Sequence, residues 1–423
     1  MIDLKHATDP ISAEVSIPGS KSMTNRALLL AALSEGVSML KHILLSDDTM
    51  VFVAALRALG VRVDLDVDEL TATVTGCGGV FSRKNATDIW CQDAGTAARF
   101  LLAACAGNEG SFSFDGTERL RERPMAELVS ALRQLGAEIS QDIFPCQVKG
   151  VKALTGGEVT IASTKSSQYV SALLMMGPFC QEDLVVRIQH LKRRAYIDLT
   201  CEMMSEFGVN VKKDGDAYRV PAVKKYQART YLIEPDLSTA SYFFAAAAVT
   251  AGKVCVLHMR RETLKQGDKH FLCVLELMGC LIAQNEKGIC IRGPEHLKGI
   301  EVDMQNFSDP FMTLACIAPF ASSPTTITGI AHTRLQESDR IEAIASELTT
   351  LGVQVETGED WIRIHPGVPV AAKVDSHQDH RIAMSLSLVA LKIPGIQLTN
   401  SQCVAKTCPD FFERFDSLLE KEA

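Results

Sequence analysis

One short pattern returns five times along this chain: an amphipathic stretch ending in Leu, Phe or Met, then a glycine, then alternating apolar residues. It reads ALRALGVRVDLD, ALRQLGAEISQD, MMSEFGVNVKKD, LELMGCLIAQNE and ELTTLGVQVETG, with glycines at Gly60, Gly136, Gly208, Gly279 and Gly352. The intervals are 76, 72, 71 and 73 residues. A glycine just past an amphipathic run fits the C′ position of a helix, where the backbone turns left-handed, and the alternation after it predicts a strand. A second signal interleaves with the first. Turns rich in Ser, Thr or Asp open helices of small residues near Ser20, Asp93, Lys165, Asp236, Ser308 and Gln378, at intervals of 73, 72, 71, 72 and 70. Self-similarity at a fixed period means one supersecondary unit copied along the chain. Six such units span about all 423 residues.

Each unit reads helix, strand, helix, strand, with a further strand. The first helix is dominated by small and apolar residues (RALLLAAL, SALLMM, YFFAAAAVTA), so it is expected to be buried. The second is amphipathic and belongs outside. The sixth unit has no matching glycine. It is expected to close with the N-terminal strand, within residues 1–18, and the C-terminal helix FFERFDSLLEKE.

The turns carry the chemistry. In IPGSKSMTNRALLLAA, 17–32, a Pro-Gly turn leads to Ser20, Ser22 and Thr24 as candidate caps, with Lys21 in the turn and Arg26 one turn on. Exposed N–H groups, hydroxyls, the positive end of the helix dipole and two basic side chains then face one spot suited to a phosphate or carboxylate. QDAGTAARF adds Asp93 as a cap, Gly95 for close backbone approach, and Arg99. ERLRERP is a basic cluster ending at Arg123. TKSSQYVSALL offers Ser166, Ser167 and Gln168. QESDRI places Glu337 and Arg340 at i,i+3, read as one helical face. DHRIAM and KTCPDFF bring His380, Arg381 and Lys406. Any one segment alone reads equally well as a capped helix with solvated charges. Their recurrence at the repeat period argues for a shared task, with Asp309 and Glu337 as carboxylates able to move protons.

Bulk properties narrow the partners. Net charge is −8, which argues against nucleic acid and acidic membranes, so an anionic ligand needs a local basic cluster. No apolar run reaches the ~18 residues of a membrane helix, and MIDLKHATDP lacks a signal-peptide pattern. Thirteen scattered cysteines without a CxxC pair read as buried reduced thiols in a cytoplasm, and no His/Cys set has metal-ligand spacing. GSKS also lacks the glycine spacing of a P-loop.

The motifs PGSKSxTNRALLLAAL, DAGTAxR, RERPM, SSQYVSALLM, PDxSxASYFFAAAA, ESDRI, DHRIAM and KTxPDFF resemble, in order and over the whole chain, the 3-phosphoshikimate 1-carboxyvinyltransferases of the enolpyruvyl transferase family. The resemblance implies an α/β fold of two domains, each of three βαβαββ units with pseudo-threefold symmetry. One domain would comprise residues 1–20 plus 236–423 and clamp phosphoenolpyruvate. The other, 21–235, would hold shikimate 3-phosphate, with the active site in the cleft between them. The implied reaction adds the shikimate 5-hydroxyl to C2 of phosphoenolpyruvate while C3 is protonated, then expels phosphate as C3 returns its proton. No cofactor, metal, nucleic acid or membrane is implied, and a cytoplasmic monomer is expected.

Carried over by motif position, Lys21, Ser22, Arg26, Ser166, Ser167, Gln168, Arg193 and Asp309 resemble ligands of shikimate 3-phosphate. Lys21, Asp93, Gly95, Thr96, Arg123, Gln168, Gln336, Arg340, His380, Arg381 and Lys406 occupy the phosphoenolpyruvate positions. Lys21, Asp309 and Glu337 are the implied catalytic groups, with Asp309 as base and Glu337 facing C3. Four positions depart from the family's pattern: Gln336 for Lys, Asp93 for Asn, Arg193 for Ser and Phe100 for Pro. The lost charge at Gln336 and the added carboxylate at Asp93 imply weaker phosphoenolpyruvate binding. Two rivals follow. One is the sister transferase acting on UDP-N-acetylglucosamine, which begins with Gly-Ala-Lys-Asn and carries a loop cysteine. The other is a non-catalytic shikimate-phosphate-binding relative.

Overall fold

The computed structural model describes residues 1–82, 86–162, 166–189, 194–222 and 225–420. Arg193 and the turn at Lys165 lie outside the described residues. Two compact units emerge, one of Met1–Pro18 with Pro235–Ala423, the other of Gly19–Glu234. Each has its own hydrophobic core.

All five repeat glycines sit at helix C′ with positive φ, between 82° and 103°. At each, the glycine N–H and the N–H of the next residue return to the last turn, as in Gly60 to Arg57 and Val61 to Leu56. This paired return bonding satisfies carbonyls that the helix end leaves open. The following strand then starts in a fixed direction, which is why the motif can be reused.

The repeat is a βαβαββ unit, most plainly between residues 87 and 150. Thr87–Trp90 runs parallel to Gly110–Asp115, with Ile89 opposite Phe114. Between them runs the inner helix Gly95–Ala106, and the outer helix Ala126–Gln134 follows. Glu138–Ile139 and Cys146–Gly150 complete the sheet antiparallel. Among the described residues there are five four-stranded sheets of this kind and one of three strands.

The inner helices are Lys21–Leu33, Gly95–Ala106, Ser167–Met176, Leu237–Val249, Phe311–Ile317 and His380–Ala390. Leu237–Val249 is buried along its whole length, as its apolar, alanine-rich circumference requires. Small residues let these helices pack closely within each unit. Helices such as Ala126–Gln134 keep one exposed face and lie outside.

The first strand of two units comes from elsewhere in the chain. Ser12–Val15 pairs parallel with Lys253–Leu257, and Thr230–Leu232 pairs parallel with Val37–Lys41. The closure expected for the sixth unit is therefore only partly right. Ile2–Asp3 does pair with Gln397–Thr399 there, and Phe411–Ser417 supplies the helix. Ser12–Val15, however, pairs in another sheet, where all four of its residues lie opposite Lys253 to Val256. Cys255 and Cys290 lie directly opposite each other on neighbouring antiparallel strands.

Candidate active site

In the unit Gly19–Glu234, the inner helices begin with the predicted residues. Ser20 caps Lys21–Leu33, its side chain accepting from the Met23 N–H at 3.5 Å. Lys21 follows at once and lies 3.4 Å from Asp48. Arg26 is deeply buried. It donates from Nε to Thr200 Oγ1 (2.8 Å), from Nη1 to the Ser22 carbonyl (2.9 Å) and from Nη2 to Ser171 Oγ and the Tyr196 carbonyl. Its guanidinium also lies over the rings of Phe100 and Tyr196. Burial pulls its pKa down to about 10, against the influence of Tyr196 and Cys201, so it stays charged at neutral pH. Arg26 thus ties three helices together and fixes the Ser22 backbone.

A second set surrounds the start of Gly95–Ala106. Gln168 donates to Thr96 Oγ1 (2.9 Å) and accepts from Arg99 Nη1 (2.5 Å). Arg99 and the Tyr169 hydroxyl both donate to the Pro124 carbonyl, which holds the segment after Arg123. Arg123 Nη1 reaches the Asp93 carbonyl at 3.5 Å. Its guanidinium covers Gly95 so closely that a Cβ there would come within 2.6 Å of Nη1. A side chain at 95 would displace that guanidinium. Asp93 itself is not the cap: Ala94 occupies the N-cap position, and the Asp93 carboxylate accepts from Thr117 Oγ1 at 3.3 Å. Ser166 does cap Ser167–Met176, accepting from the Gln168 N–H at 3.2 Å.

In the other unit, the predicted residues form one charged network. Arg340 is almost wholly buried and donates from Nε to Asp379 (2.8 Å), from Nη2 to Glu337 (2.9 Å) and from Nη1 to Gln336, and it lies 3.6 Å from Asp309. Burial works against its charge, but Asp379 and Glu337 more than reverse this, and its pKa is raised. Arg381 donates to Asp309 at 2.7 Å, and Lys406 lies 3.7 Å from Glu337. His380 lies 3.7 Å from Asp379 and is fully buried.

Local structure explains these positions. Glu337 and Arg340 do not share a helical face: Asp339 caps Arg340–Thr350, and Glu337 stands in the chain before it. Asp379 caps His380–Ala390, accepting from the Arg381 N–H at 2.9 Å, and so serves both helix and guanidinium. Asp379 and Asp48 were missed as functional candidates, and Arg99 was read only as a charge inside its helix. A capping Asp and a charge within a helix look ordinary locally, and their partners lie 39, 27 and 69 residues away.

In this network the cations Arg340, Arg381 and Lys406 face the carboxylates Asp309, Glu337 and Asp379. Such a site can take an anion by exchanging carboxylate contacts for ligand contacts, and carries carboxylates able to move protons. Among the described residues no His/Cys/Asp/Glu group is arranged to hold a metal, and no helix is long and apolar enough to cross a membrane.

The model of the EPSP synthase (3-phosphoshikimate 1-carboxyvinyltransferase) family matches residues 5–415. The chain belongs to the EPSP synthase family. It is similar to the 3-phosphoshikimate 1-carboxyvinyltransferase of Nostoc punctiforme, at 42% identity over 99% of both chains. The enzyme of that name from Colwellia psychrerythraea is 41% identical over 96% of each. A solved EPSP synthase from Acinetobacter baumannii superposes with a TM-score of 0.82 at 25% identity, covering 98% of this chain and 97% of its own.

Proposed function

We propose that the chain transfers the enolpyruvyl group of phosphoenolpyruvate to the 5-hydroxyl of shikimate 3-phosphate, releasing phosphate. The observation that carries this is the single network joining Asp309, Glu337, Arg340, His380, Arg381 and Lys406, in a chain of this family. Asp309 takes the hydroxyl proton and gives it up to the departing phosphate. Glu337, protonated when both substrates are bound, faces C3 of the enol and hands it that proton, then takes one back as phosphate leaves. Arg123, Arg340, Arg381, Lys406 and Lys21 hold phosphoenolpyruvate, with Gly95 and Thr96 giving backbone approach. Ser22, Ser166, Ser167, Gln168 and Arg193 hold shikimate 3-phosphate, with Arg26 fixing Ser22 and the helices behind it. In this reading residues 21–235 serve the shikimate substrate and residues 1–20 plus 236–423 the enol. The working form is a cytoplasmic monomer.

Product analysis by NMR tests the reaction. Incubation with both substrates is expected to give vinyl ether protons on a 5-substituted shikimate 3-phosphate; unchanged substrates would overturn the proposal.

Gln336 qualifies the clamp. It accepts from Arg340 instead of offering a cation, so cations and carboxylates balance in the network. Gln336→Lys would add a charge-assisted contact to the ligand of about 1.5–3 kcal/mol, while the acceptor that Gln336 gives the Arg340 guanidinium, a bond of the same class, is lost in the free and the bound protein alike. The expected result is a several-fold lower KM for phosphoenolpyruvate, with the KM for shikimate 3-phosphate little changed. Steady-state kinetics checks this, and an unchanged or higher KM counts against the assignment of Gln336 to the clamp.

A further inference from the structure

Immediately before the buried Asp379, the chain takes a conformation that its side chains do not favour. The Asp379 N–H bonds the Ser376 carbonyl at 2.9 Å, closing a four-residue turn. The central residues, His377 and Gln378, both have positive φ, 51° and 55°. Such turns are usually left to Gly, Asn or Asp, because a Cβ crowds the neighbouring carbonyl in the left-handed region. They persist only where the surroundings impose them, and strain of this kind gathers at functional sites. Here the turn joins strand Lys373–Asp375 to helix His380–Ala390, which Asp379 caps and whose second residue is Arg381.

Three side chains impose it. The Asp375 carboxylate accepts from the His377 N–H at 2.5 Å, from the Asn400 amide at 3.0 Å and from the Thr399 hydroxyl. The Ser376 hydroxyl accepts from the Gln378 N–H at 3.2 Å and donates to the Asn400 carbonyl at 3.1 Å. Glu347 is only 6% exposed and lies about two turns along its helix from Arg340. One of its oxygens accepts from the Asp375 N–H at 3.0 Å and the other from His377 Nε2 at 2.7 Å. Three elements meet in this cluster, and each carries a cation of the charged network. Arg340 begins the helix of Glu347, Arg381 follows the turn, and Lys406 ends the segment Ser401–Lys406 that starts beside Asn400.

We propose that Glu347 is a positioning residue: by holding the left-handed turn it fixes where Asp379 meets Arg340 and where Arg381 meets Asp309, and so sets the spacing of the phosphoenolpyruvate clamp. This rests on reading Arg340, Arg381 and Lys406 as that clamp. Without Glu347, the Asp375 N–H and the His377 ring lose their common acceptor, and the turn relaxes toward ordinary backbone. Asp379 and Arg381 follow it in the chain and move with it.

Glu347→Ala tests this, with Glu347→Gln as the rescue: an amide oxygen still accepts from the Asp375 N–H, and the amide N–H can donate to a neutral His377 ring. In Glu347→Ala the KM for phosphoenolpyruvate is expected to rise about tenfold, with the KM for shikimate 3-phosphate nearly unchanged, because small misplacements of binding groups are felt strongly. Glu347→Gln should restore most of the wild-type value. An unchanged phosphoenolpyruvate KM, an equal rise in both KM values, or a Glu347→Gln variant as impaired as Glu347→Ala overturns the proposal. A second readout needs no substrate. The Arg340 Nε–H, bonded to Asp379 in a buried site, should give a protected heteronuclear NMR signal, assigned by its absence in Arg340→Lys. In Glu347→Ala that signal should be lost to exchange with water; a signal that keeps its shift and protection overturns the proposal. A chain inactive with both substrates but showing the loss refutes the reaction and not the positioning. Should Glu347→Ala fail to fold, His377→Ala, at an exposed position, decides by the same readouts: the same pattern is expected, and wild-type kinetics with an intact Arg340 signal overturn the proposal.

Discussion

Arg340→Ala is expected to destabilise the protein by about 3–5 kcal/mol at neutral pH and to abolish measurable turnover. The guanidinium is almost fully buried and meets Asp379, Glu337, Gln336 and Asp309. Removing it strands the Asp379 carboxylate, which is itself wholly buried, without its cation. A surface pair would contribute at most about 1 kcal/mol, because water screens it and replaces the lost partner. Here water has little access, so the desolvation cost of the orphaned carboxylate is felt in full. Denaturant unfolding of wild type and variant measures the difference. A loss under about 1 kcal/mol would mean that the network is solvated and does not organise the helix starts. Arg340→Lys should recover only part of the stability, because an ammonium lacks the fork that spans Asp379 and Glu337.

Glu337→Gln separates chemistry from structure. Its carboxylate contacts Arg340 through Oε2 at 2.9 Å and Lys406 through Oε1 at 3.7 Å, and the single amide oxygen of glutamine can keep the shorter contact to Arg340 while giving up the one to Lys406. Stability should change far less than in Arg340→Ala. The amide has no proton to exchange with C3, however, and losing a positioned general acid–base lowers rates by about 10²–10⁴-fold. The expected result is a kcat lower by that factor with the shikimate 3-phosphate KM nearly unchanged. Exchange of solvent deuterium into C3 of phosphoenolpyruvate should fall in parallel. A variant with wild-type kcat would remove Glu337 from the proton transfers. One that loses binding and stability along with rate would make it a structural partner of Arg340.

Much of this fold was legible because its signals are local. Gly60, Gly136, Gly208, Gly279 and Gly352 each answer a backbone requirement at a helix end that few other residues meet, and the structure has all five at positive φ. The burial of FFAAAAV needed only its circumference to be read. Strand pairing was different. Nothing within Ser12–Val15 says that its neighbour is Lys253–Leu257, since a four-residue edge can satisfy its backbone against any free ladder. The side-chain sites divide in the same way. Ser20 and Ser166 were legible as caps from turn chemistry. Asp93 looked like a cap and is not one, because Thr117 offers its carboxylate a donor and the helix begins at Ala94 instead. Asp379 holds its partner Arg340 from 39 residues away, and only the packing of the two helix starts brings them together.

The most direct test of the central claim is the initial rate of phosphate release from purified protein with phosphoenolpyruvate, measured with shikimate 3-phosphate and separately with UDP-N-acetylglucosamine as acceptor. The account predicts release that requires shikimate 3-phosphate, saturates with it, and is absent with the nucleotide sugar. Release with neither acceptor, from a folded chain that still binds shikimate 3-phosphate in calorimetry, would contradict it: the charged network would then bind without performing the transfer.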